Sequence, residues 1–134
     1  MATPKGKILL VDDDLDFLEM HKAVLKHRGY DVLTATNSQE GIERVRTEMP
    51  DLIILDLMME KHDAGFSFSK QIKGDPLFKK IPILMVTAAA EATGYRFSME
   101  EDGYWMKTDD FLNKPVMPEI LIKKIEKLLA ERNN

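Results

Sequence analysis

The sequence predicts an α/β fold in which a parallel sheet is covered by helices on both faces. Short aliphatic runs alternate along the chain with stretches of helical periodicity, and no tight hairpin signal joins any two of the runs. The run Leu52–Leu55 is entirely aliphatic and lies between Asp51 and Asp56. Such a run is typical of a strand buried on both faces of a parallel sheet.

Five strands are expected, and most of them end where a polar or charged residue resumes. They are Lys7–Val11, Asp31–Thr36, Leu52–Asp56, Ile81–Thr87 and Asp110–Asn113. The second strand is the more polar one and is therefore expected nearer an edge. Parallel strands place their carboxyl ends at the same edge of the sheet, where the ligand crevice of open α/β sheets lies. The side chains that follow the strands should therefore meet there.

Caps and apolar stripes predict the first two helices. Asp14 is expected to cap the first helix and Gly29 to end it, while Ser38 caps the second and Pro50 ends it. The expected buried stripes are Phe17, Leu18, His21, Val24 and Leu25 in the first helix, and Ile42, Val45 and Met49 in the second.

Two further helices are predicted, and one segment has no clear pattern. The third helix is expected over about Phe66–Lys73, before Gly74–Pro76, and Pro118 is expected to open the last helix. The buried stripe of that last helix should be Leu121, Ile125, Leu128 and Leu129. Residues 88–108 are expected to form a short helix together with irregular structure.

Length and composition predict one globular domain over residues 1–134, with a core of about 6–131. The net charge of −4 argues against a nucleic-acid surface, and the lack of cysteine excludes disulfides, thiol catalysis and thiolate metal sites. No apolar run approaches the length of a membrane span, and none follows the charged lead of a signal peptide. We therefore expect a soluble, cytoplasmic protein with neither nucleic acid nor membrane as a partner.

The predicted sheet edge gathers carboxylates, a hydroxyl and an ammonium. Asp12 and Asp13 follow the first strand, Asp56 and Thr87 end the third and fourth, and Lys114 follows the fifth. Adjacent carboxylates repel one another unless a cation lies between them, and oxygen ligands without nitrogen or sulfur suit Mg²⁺. A metal, an ammonium and a hydroxyl around one carboxylate would stabilise a phosphoryl group arriving on it. We interpret Asp56 as a phosphoryl acceptor.

These residues and their order resemble the response-regulator receiver domains (CheY-like) of two-component signalling, over nearly the whole chain. The matching positions are the acidic pair Asp12 and Asp13, the phosphoacceptor Asp56, the hydroxyl residue Thr87, the pair Lys114–Pro115 and the aromatic switch residue Phe111. Each motif is weak alone, but their joint order along the strand ends is highly specific.

The resemblance implies a flavodoxin-like sheet with strand order 2-1-3-4-5. It further implies that the backbone carbonyl of Met58 completes the metal ligands, that the bond before Pro115 is cis, and that Phe111 takes part in a switch. The implied function is to take phosphate from a histidine kinase or a histidine phosphotransfer protein onto Asp56 with Mg²⁺. Phosphorylation would then alter a protein-binding surface around residues 88–114 that a downstream protein target recognises. The only catalysis implied is the domain's own phosphorylation and dephosphorylation.

The chain departs from the family pattern in two places. The usual Pro-Gly pair after the acceptor is replaced by Glu60–Lys61, and the nearest glycine is Gly65, so we expect an insertion in this loop. The segment between Thr87 and Lys114 is also longer than is usual in the family. The fourth helix of the family, and the surface that reports phosphorylation, are therefore expected to differ here.

Two other motifs are similar to the acidic run 12–16. A calcium loop would need glycine at the sixth position and glutamate at the twelfth, where this chain has Phe17 and Ala23. Haloacid-dehalogenase-like phosphatases also form an aspartyl-phosphate after a strand. Their lysine, however, precedes the acidic pair, whereas Lys114 follows Asp109–Asp110. Repeated turnover of a substrate would distinguish such a phosphatase from a receiver, which phosphorylates itself.

A docking module with a receiver fold and no phosphorylation is a third alternative, and the complete set of site residues argues against it. The remaining polar and aromatic candidates are expected to have packing, surface or turn roles. They are His21, His27, His62, Tyr104, Trp105 and the pair Asp109–Asp110.

Overall fold

The structure is a computed structural model that describes residues 5–56, 64–87 and 109–132. The strands in these ranges are β1 (Lys7–Val11), β2 (Asp31–Ala35), β3 (Leu52–Asp56), β4 (Ile83–Thr87) and β5 (Asp110–Asn113). The helices are α1 (Leu15–His27), α2 (Ser38–Glu48), α3 (Ala64–Lys73) and α4 (Pro118–Arg132). None of the described helices is long and apolar enough to cross a bilayer.

The five strands form one parallel sheet in the order β2-β1-β3-β4-β5, which confirms the predicted fold. In the register of the sheet, Val11 lies opposite Leu55, Asp56 opposite Val86, and Thr87 opposite Asn113. The ends of β1, β3, β4 and β5 therefore lie side by side at the carboxyl edge of the sheet, as the alternation of strands and helices predicted.

The core has one apolar layer on each face of the sheet, because successive strand residues point to opposite faces. On one face Leu9, Ile53 and Met85 pack with Val45 of α2 and Phe68 of α3. The residues of the opposite layer come from the sheet, α1 and α4, and include Ile8, Leu10, Ile54, Leu84, Leu18, Leu25, Leu121 and Ile125. Every residue of β3 is buried, as expected for the central strand of such a sheet.

The structure confirms Asp14 as the cap of α1 but shows that the predicted cap of α2 was wrong. Asp14 accepts hydrogen bonds from the backbone N–H groups of Asp16 and Phe17. In α2 the cap is Asn37, whose side-chain oxygen accepts from Glu40 N at 2.9 Å, and Ser38 is the first helical residue. Both residue types are good caps, so the choice depends on which one has extended backbone angles.

Met49 was also predicted wrongly, as a residue of the inner face of α2. It is 51% exposed and has the left-handed backbone conformation, with φ 47°, where α2 ends. That change of backbone direction takes its side chain off the helical stripe. Ile42 and Val45 lie against the core as predicted.

Several boundaries differ from the predicted ones by one or two residues. Strand β2 ends at Ala35, and β4 begins at Ile83 because Ile81 is still in a turn, where its N–H donates to Phe78 O at 3.0 Å. Helix α3 begins at Ala64 and includes Gly65 in its first turn, although glycine had favoured a loop.

Other predictions fall outside the described residues. They concern Met58 as a metal ligand, His62, Tyr104, Trp105, the insertion after Asp56 and the short helix within residues 88–108. His27, in contrast, is the last residue of α1, where a basic side chain is favourable, and it is exposed.

Candidate functional site

Three carboxylates meet at the carboxyl edge of the sheet. One oxygen each from Asp12, Asp13 and Asp56 lies within 4.8 Å of the others. Asp12 and Asp56 are only 1% and 5% exposed, whereas Asp13 is exposed to solvent. The pairing of β1 with β3 produces this proximity, because it places the end of one strand beside the end of the other. The cluster therefore consists of two buried carboxylates and one that faces the solvent.

Lys114 supplies a cation to the buried part of the cluster. Its Nζ is 3.0 Å from Asp12 Oδ2 and 3.8 Å from Asp56 Oδ2. Burial by itself would lower the pKa of Lys114. The charge of Asp56, the hydrogen bond to Asp12 and the charges of Asp12 and Asp14 outweigh it and raise that pKa above its ordinary value. The ammonium is therefore a permanent positive charge at neutral pH.

The backbone around Lys114 is held by the neighbouring strand. Lys114 N–H donates to Thr87 O at 2.7 Å, and the Lys114–Pro115 peptide bond is cis, as the family resemblance implies. Thr87 itself is fully buried at the end of β4. The backbone position of Lys114 is thus fixed by a hydrogen bond to the end of β4, at Thr87.

The acidic run after β1 is divided between two tasks. Asp12 Oδ1 accepts from the backbone N–H of Asp14 at 2.9 Å, while its other oxygen faces Lys114. Asp14 in turn caps α1 by accepting from Asp16 N at 3.0 Å and Phe17 N at 3.2 Å. Asp12 and Asp13 thus belong to the cluster, whereas Asp14 caps the following helix.

Phe111 is half-buried and packs against the core layer that contains Met85 and Phe68. Phe111 lies opposite Met85 in the register, and Thr87 follows Met85 by two residues. The side chains of Phe111 and Thr87 therefore point to the same face of the sheet from neighbouring strands. The two residues of the predicted switch are therefore close neighbours in the sheet, although the segment between them along the chain, residues 88–108, is outside the described part.

The sequence did not reveal that two aromatic side chains of α1 support the site. The Phe17 ring centroid is 4.7 Å from Lys114 Nζ, and the His21 ring lies 4.0 Å from the Phe17 ring. Both residues were predicted only as members of a buried stripe. The i, i+4 spacing of two rings was a signal for their stacking, but nothing in the sequence indicated the contact with Lys114.

The chemistry of the donor set fits a hard divalent cation. All three candidate ligands are carboxylate oxygens, and Asp13 is exposed, so that water can complete a coordination shell from the solvent side. Mg²⁺ is bound in this way, by a few carboxylates together with waters. Among the described residues this is the single group of three or more potential metal-binding side chains that lie close together.

The family model of the response regulator receiver domain matches residues 8–126. The chain therefore belongs to this family, and it is a phosphoacceptor receiver domain of two-component signalling. The structure agrees with this assignment through its parallel sheet, its strand order and its clustered carboxylates.

Curated relatives and solved structures agree with the family. The chain is 35% identical over 123 residues to the alkaline phosphatase synthesis transcriptional regulatory protein PhoP of Bacillus subtilis, covering 92% of this chain and 48% of PhoP. It is 33% identical over 128 residues to protein PilH of Pseudomonas aeruginosa, covering 93% and 98%. The chemotaxis response regulator CheY4 of Vibrio cholerae superposes with a TM-score of 0.80 at 30% identity, covering 94% and 99%. The chain spans about half the length of most of the curated relatives it matches.

Proposed function

We propose that Asp56 accepts a phosphoryl group from the phosphohistidine of a histidine kinase or a histidine phosphotransfer protein. The observation that carries this proposal is the meeting of Asp12, Asp13, Asp56 and Lys114 at one edge of the sheet. Three carboxylates this close together repel one another unless positive charge lies between them. A phosphoryl group arriving among them brings further negative charge, which also has to be stabilised. The cluster is therefore suited to phosphoryl transfer that requires Mg²⁺.

The reaction is a displacement at phosphorus. A carboxylate oxygen of Asp56 forms a new O–P bond while the N–P bond of the donor breaks. The electron pair of the N–P bond stays on the ring nitrogen, so a phosphohistidine protonated on its other nitrogen leaves as neutral imidazole. The chain needs only to position the carboxylate and stabilise charge, because phosphoryl transfer requires little other chemistry from the protein. The acceptor carboxylate already has a positive charge beside it, since Lys114 Nζ lies 3.8 Å from Asp56 Oδ2.

The residues around Asp56 divide the remaining work. Asp12, Asp13 and Asp56, with the Met58 carbonyl, are the proposed ligands of Mg²⁺. When bound, the ion would supply positive charge against the carboxylates and the phosphoryl oxygens. Lys114 and Thr87 are proposed to donate an N–H and an O–H hydrogen bond to those oxygens. The domain would catalyse its own phosphorylation and dephosphorylation and no other reaction.

The proposed output is a change of protein partner, or onward transfer of the phosphoryl group in a relay. Phosphorylation would draw Thr87 toward the phosphoryl group, and the Phe111 ring would turn inward to fill the vacated space. Their placement on one face of adjacent strands supports this coupling. The recognised surface would be around residues 88–114. We place the domain, residues 1–134, in the cytoplasm with a histidine kinase and a downstream protein target as partners.

The test is labelling of the purified chain by acetyl phosphate with and without Mg²⁺, followed by intact mass measurement and peptide mapping. We expect one phosphoryl group per chain, dependent on Mg²⁺ and lost in Asp56→Asn. Asp16→Asn is the matched control, because Asp16 is an exposed aspartate of α1 outside the cluster. This control variant should be labelled like the unmodified chain.

Labelling that persists in Asp56→Asn at the same rate would show that the acceptor is a different residue. Multiple turnovers of acetyl phosphate without accumulation of phosphorylated chain would instead favour the phosphatase alternative. A chain that takes no label with Mg²⁺ from acetyl phosphate or from a phosphorylated histidine phosphotransfer protein would contradict the proposal.

A further inference from the structure

Lys114 contacts an aromatic ring as well as carboxylates. Its Nζ lies 4.7 Å from the centroid of Phe17, well inside the range of about 6 Å over which a cation is attracted to a ring face. Phe17 is 9% exposed and the Lys114 side chain 17% exposed, so little water separates the two groups. Cation–π attraction is stronger in such desolvated surroundings than at the surface.

The backbone of Phe17 is linked, through Asp14, to the same carboxylate that pairs with Lys114. Asp12 presents one oxygen to Lys114 at 3.0 Å and the other to Asp14 N at 2.9 Å, and Asp14 accepts from Phe17 N at 3.2 Å. The contacts therefore form a closed circuit that runs from Lys114 through Asp12, Asp14 and Phe17 back to Lys114. A shift of the Phe17 backbone would therefore disturb the start of α1 and the hydrogen bond to Asp12.

His21 packs against the Phe17 ring as well. The two rings are 4.0 Å apart with an interplanar angle of 32°, and His21 Nδ1 lies 2.9 Å from Phe17 O. Since a carbonyl oxygen can only accept, Nδ1 is the donor in this hydrogen bond. His21 is 1% exposed, and the described residues offer its Nε2 no hydrogen-bond partner. The imidazole therefore packs against the Phe17 ring, and its hydrogen bond to Phe17 O holds it in place.

We propose that Phe17 is a positioning residue for Lys114 in phosphoryl transfer, with His21 as the support of its ring. This inference rests on the proposed function of the cluster. In the structure Lys114 lies nearer to Asp12 than to Asp56, so it must move toward Asp56 when negative charge arrives there. Attraction to a ring face has little directional demand compared with a hydrogen bond. The ring therefore offers a surface along which the ammonium shifts between the two carboxylates while remaining out of water.

The first arm of the test measures the contact itself and needs no phosphorylation. A ring shifts the NMR signals of the Lys114 Cε–H₂ group upfield, and we expect this shift in the unmodified chain and in Phe17→Tyr, which keeps a ring. Phe17→Leu should lose it, because leucine fills much of the space without a π face. Leu25→Val is the matched control, since Leu25 is fully buried in the same helix and lies about two helical turns beyond Phe17. It should leave the Lys114 signals in place.

The second arm measures the initial rate of labelling by acetyl phosphate at saturating Mg²⁺. A cation–π contact of ordinary strength predicts a loss of about two- to fivefold in Phe17→Leu and recovery in Phe17→Tyr. In a Lys114→Met background, Phe17→Leu should change the rate by far less, because the group on which Phe17 acts is gone. A purely structural role would lower the rate by the same factor in both backgrounds.

The outcomes separate the two proposals. An unchanged Lys114 signal in Phe17→Leu, or an equal loss of labelling with and without Lys114, would overturn the positioning role of Phe17. Absence of labelling at Asp56 in the unmodified chain would contradict the proposed function instead, while the NMR arm would still decide whether Phe17 holds Lys114. Cooperative thermal unfolding of each variant verifies that the altered chains are folded.

Discussion

Lys114 and Asp12 form an ion pair at 3.0 Å across 102 residues of chain, and this pair is tighter than the contact between Lys114 and the proposed acceptor Asp56 at 3.8 Å. The ammonium therefore neutralises a carboxylate that is also a proposed metal ligand. Lys114 and a divalent cation share Asp12, so the two positive charges should oppose each other's binding at the cluster.

We predict that Lys114→Met binds Mg²⁺ more tightly than the unmodified chain, by about tenfold, which corresponds to about 1.4 kcal/mol of relieved repulsion. Isothermal titration calorimetry with MgCl₂ measures the change. Lys124→Met is the matched control, because Lys124 forms an ion pair of 2.8 Å with Asp110 that is not part of the cluster. Equal affinity in all three chains would show that Lys114 and the metal do not compete.

A second prediction concerns acid stability at the opposite end of the sheet. Asp51 Oδ2 accepts from Lys7 N at 2.7 Å, and Asp51 Oδ1 lies 2.6 Å from Arg132. Partial burial raises the pKa of Asp51, but the hydrogen bonds from Lys7 and Arg132 and the charges of both residues outweigh it and lower this pKa below 3.8. The folded state therefore binds the proton less readily than the unfolded state. The stabilisation is fully present above the unfolded pKa of 3.8. It is lost as the pH falls through the lowered pKa of the folded state.

Asp51→Asn should accordingly lower the free energy of unfolding by about 0.5–1 kcal/mol at neutral pH, a modest figure because solvent screens this half-exposed pair. The difference from the unmodified chain should shrink when urea unfolding is repeated at about pH 3. Glu48→Gln, which removes the longer 3.6 Å contact with Lys7, should change stability less. A constant difference at both pH values would contradict ionisation as the cause.

The third prediction concerns packing between α2 and the sheet. A Cβ atom at Gly41 would lie 2.8 Å from the Phe68 ring and 3.2 Å from Val11, whereas one at Gly6 would meet its nearest atoms at 3.6 Å. Gly41→Ala should therefore destabilise the chain by about 1–3 kcal/mol through overpacking, despite the better helix propensity of alanine. Gly6→Ala should be nearly neutral. Urea unfolding measures the stability of both variants. If Gly41→Ala were as stable as Gly6→Ala, the Phe68 side chain would have moved aside without cost.

The fourth prediction concerns the proposed switch. Beryllofluoride bound at Asp56 should alter amide hydrogen exchange mainly in residues 88–114, because Thr87 directly precedes that stretch and Phe111 lies within it. Burial of an aromatic side chain contributes roughly 1.5–3 kcal/mol when complete, enough to bias a two-state element. The same treatment of Asp56→Asn is the control and should leave exchange unchanged. Changes limited to residues 57–63 would refute the switch while leaving the acceptor assignment intact.

Much of the fold and the candidate site was predictable because it depends on local pattern and one general rule. A short, branched aliphatic run between two aspartates, such as Leu52–Leu55, favours a strand buried on both faces of a parallel sheet. Once the strands are parallel, their carboxyl ends coincide, so Asp12, Asp56 and Lys114 could be expected together before any distance was known. The Asp14 cap is similarly local, because donor and acceptor are separated by only two or three residues.

The sequence by itself thus determined the sheet, its buried strands and the identity of the acidic edge. Only the tertiary structure decided that Lys114 lies closer to Asp12 than to Asp56, that the Phe17 ring, packed on His21, contacts that lysine, and that Met49 lies outside the core. The physical reason is range. Apolar periodicity and capping are set by neighbours along the chain, whereas the partner of a long, flexible ammonium side chain depends on how α1 and the end of β5 approach each other after the sheet has formed.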